Sequence, residues 1–108
     1  MIITNTTTDQ FGLRIGELDQ IIKIIANNAK IKTAKIYGSR AKGNFKPWSD
    51  IDLVIDGDEL DLSDKFSLDN SFYELDIPQK VDLLLLKHLD NPDLLSHIER
   101  VGKLIYQK

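Results

Sequence analysis

The chain has no cysteine among its 108 residues, which excludes disulfides and thiolate metal sites. It has no excess of positive charge: 14 Lys and Arg stand against 17 Asp and Glu, a formal charge of -3. Non-specific nucleic-acid binding needs a basic footprint, so the balance argues against it, while leaving room for a local basic patch around a phosphate. Long apolar runs are also missing. The richest clusters, Ile21 to Ala26 and Val81 to Leu86, are interrupted by a charge or too short to cross a bilayer. The opening Met1-Ile2-Ile3-Thr4 lacks the basic start and apolar stretch of a secretory signal. A soluble cytoplasmic protein is the simplest account. There is no internal repeat, no low-complexity linker and no second domain boundary, so residues 1–108 read as a single domain. A chain of this size can bury a core but has little left for a deep pocket, so any substrate site is expected to be shallow or completed by another chain.

What is present is a series of short periodic segments. Residues 1–12, rich in Thr and Asn, read as a flexible arm. From Leu13 to Ala29, Leu18, Ile21, Ile22, Ile25 and Ala29 recur at helical spacing. Lys32 to Tyr37 alternates as a strand and runs into Gly38-Ser39, where Ser39 can cap a helical turn through Lys42. Ile51 to Ile55 is a β-branched strand closed by Asp56-Gly57-Asp58. A helix is predicted from Asp61 to Leu75, a third strand from Lys80 to Leu86, and a last helix from Asn91-Pro92 in which Leu94, Leu95, Ile98, Val101 and Ile105 keep helical spacing. The order predicts an α+β (α/β) fold, a small mixed sheet flanked by helices on one side.

Three groups of residues carry chemistry. Asp50 and Asp52 lie on one face of the second strand, because successive strand side chains point to opposite faces. Two carboxylates so placed can share a hard cation such as magnesium, which takes oxygen ligands and shares them with substrate phosphates. Solvated acids at a strand edge have the same spacing, as Asp56-Gly57-Asp58 shows within this chain. Asp82 falls on the face of the third strand opposite Val81, Leu83 and Leu85. It is either a strand-end acid in water or paired with Lys80, or a third ligand if its strand neighbours the Asp50–Asp52 strand. Three carboxylates on one face repel unless cations intervene, and two-metal phosphoryl transfer uses such a set. Gly38-Ser39-Arg40-Ala41-Lys42-Gly43 places a glycine, a hydroxyl and two cations at a helix start, a pattern that can cradle a phosphate or be an ordinary turn.

Together these words resemble the nucleotidyltransferase superfamily related to DNA polymerase beta, and within it the minimal nucleotidyltransferases of prokaryotes. The family pattern is Gly-Ser, ten residues, then Asp-x-Asp; here Gly38-Ser39 is followed by Arg40 through Ser49 and then Asp50-Ile51-Asp52. The words Gly-Ser-Arg-Ala-Lys-Gly at 38–43, Ser-Asp-Ile-Asp-Leu-Val at 49–54 and Val-Asp-Leu-Leu at 81–84 match as well. The resemblance implies magnesium-dependent transfer of a nucleoside monophosphate, AMP from ATP above all, to a hydroxyl. It implies two Mg2+ ions held by Asp50, Asp52 and Asp82, and a triphosphate bound by Gly38, Ser39, Arg40, Lys42 and Ser49. It also implies a small all-helical HEPN-type partner, whose tyrosine is the acceptor in toxin–antitoxin pairs, in a heterotetramer or beside a homodimer of this chain. A chain that stops soon after its third strand fits that need, and lacks the acceptor-binding domain of aminoglycoside nucleotidyltransferases. A nucleotide-binding regulatory subunit without turnover is the other class of reading, as is transfer to a small molecule held by the partner. The acid-rich stretch from Asp52 to Asp61 is not an EF-hand, because Val54 occupies a ligand position. His88 and His97 have no metal-ligand spacing and read as surface or packing residues, and Trp48 reads as a loop anchor or a surface for a partner or a base.

Overall fold

The computed structural model describes residues 9–108. Residues 1–8 of the expected arm lie outside the described residues. Asp9–Gln10 (β1) and Leu13–Arg14 (β2) pair as an antiparallel hairpin. Its two turn residues, Phe11 and Gly12, have φ of 59° and 71°, the left-handed pair that a two-residue hairpin turn requires.

Helix α1, Ile15–Ala26, starts where the backbone N–H of Arg14 donates to Glu17 Oε1 at 3.0 Å. Strand β3, Thr33–Tyr37, leads directly into a short helix α2, Gly38–Lys42, and β4 spans Ile51–Asp56. Helix α3, Leu62–Tyr73, opens on a reciprocal cap, Asp64 N–H to Asp61 Oδ1 and Asp61 N–H to Asp64 Oδ2, each 3.0 Å. Asp61 and Asp64 are thus the caps of this helix start. Strand β5, Val81–Leu85, is followed by a single 3-10 turn, Leu86–His88, and by α4, Pro92–Val101. Asn91 Oδ1 caps α4 by accepting from the N–H groups of Asp93 and Leu94 at 2.9 and 3.2 Å.

The last element departs from expectation. Helical spacing continues through Ile105, but α4 ends at Val101 and Lys103–Gln107 forms a strand, β6. Gly102 breaks the helix, and the segment beyond it pairs with β3, whose outer edge would otherwise be bare. At the Ala34/Lys35 step the register shifts, so that Ile105 is skipped in the pairing. This bulge lets both Ile105 and Tyr106 enter the core.

The main sheet has the order β5-β4-β3-β6, with β4 and β5 parallel and the other pairs antiparallel. Because β4 and β5 are parallel, the chain must cross over between them, and α3 makes that crossing. One face of the sheet, carrying Ala34, Ile36, Leu53, Ile55, Leu83 and Leu85, packs on Leu18, Ile21, Ile22 and Ile25 of α1 and on Leu68 and Phe72 of α3. The other face carries a smaller cluster in which Tyr37 and Val54 meet Ile98, with Leu84, Leu86, Leu89 and Leu94 around them. Helices α1 and α3 therefore share one side, as expected for the fold, and α4 lies against part of the other. Removing residues 103–108 is expected to cost about 3–6 kcal/mol, the burial of two large side chains, which is a large share of a small domain's stability. Thermal unfolding followed by circular dichroism should show a lost or much lowered transition, and an unchanged melting temperature would contradict the role given to β6.

Candidate active site

The register of two strand pairs builds the site. Tyr37 faces Asp52 across the antiparallel β3–β4 pair, and Asp52 faces Asp82 across the parallel β4–β5 pair. In-register neighbours share a face, so Asp52 and Asp82 stand side by side on the α4 side of the sheet. Asp50 lies two residues before Asp52, just ahead of β4, and is exposed. Sequence spacing alone left Asp82 dependent on strand order, and the sheet supplies that order.

Gly38 follows Tyr37 with φ of 72°. A β-carbon there would run into the Asp52 carboxylate, so only glycine allows the α2 turn to approach that side chain so closely. Burial pushes the Asp52 carboxyl above its usual range, and the charges of Asp82 and Asp50 push it the same way; Arg40 opposes them. Tyr37 is raised well above an ordinary phenol by burial and then by Asp52 and Asp82. No ion pair with another described residue neutralises Asp50, Asp52 or Asp82. Crowded, uncompensated oxygen donors fit a divalent cation. Among the described residues no group of three or more His, Asp or Glu side chains is placed so as to hold a metal ion by itself. The fit is to an ion whose coordination is completed by substrate phosphates, which is how magnesium is commonly held.

The remaining residues singled out by sequence separate into two groups. Ser39 is half-buried and Lys42 exposed, both on α2. Arg40 turns the other way. It is 2% exposed, and its guanidinium donates to backbone carbonyls: Nη1 to Phe11 at 2.9 Å, Nη2 to Ser49 and Pro47 at 2.9 and 3.2 Å, and Nε to Ser49 at 3.2 Å. The Phe45 ring lies 5.0 Å from the guanidinium carbon. Arg40 thus ties the 43–49 loop and the β1–β2 hairpin to α2. Ser49 closes a turn in that loop, its Oγ accepting from the Lys46 N–H at 2.8 Å. Phe45 is the loop's anchor, whereas Trp48, considered for that role, is 77% exposed.

One residue at the site was read only as surface or packing. His97 Nε2 accepts a hydrogen bond from the Gly38 N–H at 3.1 Å, and its ring meets Tyr37 edge-on at 6.1 Å and 81°. Its signal in the sequence was position: with Leu94, Ile98 and Val101 it completes the i, i+3, i+4, i+7 face of α4.

A turn packed on an acid of one strand, with a second acid in register on the next, is an arrangement with known relatives. The family described as Polymerase beta, Nucleotidyltransferase matches residues 19–108. The chain belongs to that nucleotidyltransferase family. Among its relatives is a protein of Haemophilus influenzae named as a probable protein adenylyltransferase, MntA. The two are 36% identical over 80 residues, which cover 73% of this chain and 70% of the relative. Two solved structures share the fold. One is a toxin–antitoxin complex with AMP-PNP (TM-score 0.70, 24% identity, covering 84% of this chain and 73% of the other). The other, from Shewanella oneidensis, is a tri-AMPylated HEPN toxin in complex with its MNT antitoxin (TM-score 0.63, 23% identity, covering 85% and 71%). This nucleotidyltransferase has a four-stranded mixed sheet with helices, and among its described residues no helix is long and apolar enough to cross a membrane.

Proposed function

We propose that this nucleotidyltransferase, working as one domain over residues 1–108, transfers AMP from ATP to a protein hydroxyl, a tyrosine of a small all-helical HEPN-type partner. On this reading it is the antitoxin of a cytoplasmic toxin–antitoxin pair. The observation that carries the reading is the in-register pairing of Asp52 with Asp82 beside Gly38. The kinship with a protein adenylyltransferase supports the choice of AMP and of a protein acceptor. So does the shared fold with a MNT antitoxin bound to an AMPylated HEPN toxin.

In the transfer, the tyrosine Oη forms a bond to the α-phosphorus, the bond from that phosphorus to the α–β bridging oxygen breaks, and pyrophosphate leaves. The Oη proton passes to a base, for which the exposed Asp82 carboxylate is suited. Asp50, Asp52 and Asp82 are the residues that would hold Mg2+, whose chemistry is to neutralise charge on the attacking and leaving oxygens. Ser39 and the amide groups that follow it would hold the β and γ phosphates, with Lys42 as the free cation beside them. Arg40 and Ser49 serve this site from behind, fixing the loop that delivers Asp50; their donors and acceptors are engaged within the chain. Most of the rate then comes from positioning and charge neutralisation.

The test is to incubate the protein and a small all-helical HEPN-type partner protein with Mg2+ and ATP labelled at the α-phosphate. Label is expected on the partner, and is expected to vanish when the partner's acceptor tyrosine becomes phenylalanine. Bound ATP with no transferred label would instead identify a nucleotide-binding regulatory subunit.

A further inference from the structure

The α4 helix has a role at this site that the three aspartates and the Gly-Ser turn do not account for. His97 lies 59 residues from Gly38 in sequence and accepts from its backbone N–H. An imidazole nitrogen accepts a hydrogen bond through its lone pair, and Nε2 is the nitrogen that does so here. Tyr37 packs edge-on against the ring, and Ile98 anchors the adjacent turn of α4 in the smaller core with Tyr37 and Val54. The helix itself is capped by Asn91 and closed by the Gly102 N–H donating to Ile98 O at 2.8 Å.

The amide that His97 takes is not an arbitrary one. It belongs to the residue whose left-handed backbone packs on the Asp52 carboxylate, at the point where β3 ends and the turn begins. The peptide plane between Tyr37 and Gly38 sets the direction of the next peptides, those of Ser39 and Arg40. We propose that His97 is a positioning residue for nucleotidyl transfer: it locks the Tyr37–Gly38 peptide, so that Ser39 and the amides after it face the triphosphate while Gly38 stays seated against Asp52. The proposal rests on the reading of this site as a triphosphate site. It also specifies a division of labour, with the Gly38 N–H spent on His97 and the phosphates left to Ser39 onward.

Two variants separate the roles. His97→Leu keeps an apolar side chain on α4 and removes the acceptor, whereas His97→Gln places an amide oxygen close to where Nε2 sits. In His97→Leu the KM for ATP is expected to rise about tenfold, the order of one lost hydrogen bond, with a smaller fall in kcat and a melting temperature lowered by no more than about 8 °C. His97→Gln is expected to recover to within about threefold of the original. The Gly38 amide proton, followed by NMR in the nucleotide-free protein, should move upfield and exchange faster in His97→Leu and return in His97→Gln. Equal impairment of both variants would reduce His97 to packing and overturn the proposal. A lowered KM in His97→Leu would also overturn it, by making the imidazole a competitor for the phosphate. If the unaltered protein transfers no AMP to any acceptor, the functional reading fails on its own, and the Gly38 amide together with ATP affinity still decides the role of His97.

Discussion

Asp52→Asn is expected to lower AMP transfer by roughly a thousandfold, the scale of losing one preorganised electrostatic contact at a reacting centre, while the fold survives or gains stability. The sign follows from the crowding of acids on the α4 side of the sheet. Burial, then Asp82, then Asp50 raise the Asp52 carboxyl above its usual range. A carboxyl raised in the folded chain favours folding while it is protonated, below its unfolded value. The folded state is penalised progressively as pH climbs through the folded value. At neutral pH the ionised Asp52 is therefore a cost to the folded, metal-free protein, and asparagine removes it. The melting temperature of Asp52→Asn at pH 7 should equal or exceed that of the parent by up to about 5 °C. The difference should shrink below about pH 4, where the parent is protonated in both states. Mg2+ should raise the melting temperature of the parent more than that of the variant, because the parent has one more carboxylate whose repulsion the ion relieves. Full transfer activity in Asp52→Asn would sink the assignment of the site.

The same stretch of chain shows how far sequence alone reaches. The Gly38-Ser39 turn and Asp50-Ile51-Asp52 were readable because each rests on local rules, a glycine ending a strand and the two-residue period of strand side chains. Asp82 was readable only as a candidate. Its value depends on which strand lies beside β4 and in what register, and that register is set by the α3 crossover and by which face each strand buries. The β6 strand was hidden by coincidence: Ile105 sits four residues after Val101, so helical spacing runs on through a Gly102 that ends the helix. Nothing local to 103–107 announces that the edge of β3 is waiting for a partner. His97 was hidden differently. It occupies a core-facing position of an amphipathic helix, where the pattern shows burial but not that a backbone N–H from the far side of the sequence points at it.

Arg40 is the residue on which local reading and tertiary structure diverge most, and its variants should show a large stability effect for a single side chain. A cation next to Gly-Ser looks like a phosphate contact, yet one residue of helical rotation beyond Ser39 carries it to the buried side of α2. There its guanidinium meets the carbonyls of Phe11, Pro47 and Ser49 and stacks with Phe45. Burial lowers its affinity for the proton from the usual arginine value, and the charges of Glu17, Asp50 and Asp52 oppose that shift. The side chain is thus a buried cation facing nearby acids, satisfied almost wholly by backbone. Arg40→Met keeps much of the stem but strands those carbonyls and frees the loop before Asp50. The expected cost is about 3 kcal/mol, a fall in melting temperature of about 15 °C. Arg40→Lys should rescue little, because a single ammonium cannot span the several carbonyl groups that the planar fork reaches. Phosphate-contact and clamp roles are then separable in one pair of measurements. A clamp predicts a large drop in melting temperature and, in the fraction that remains folded at low temperature, an ATP affinity within a few-fold of the parent. A phosphate contact predicts an intact melting temperature with ATP affinity weakened about tenfold or more, and that outcome would return Arg40 to the nucleotide.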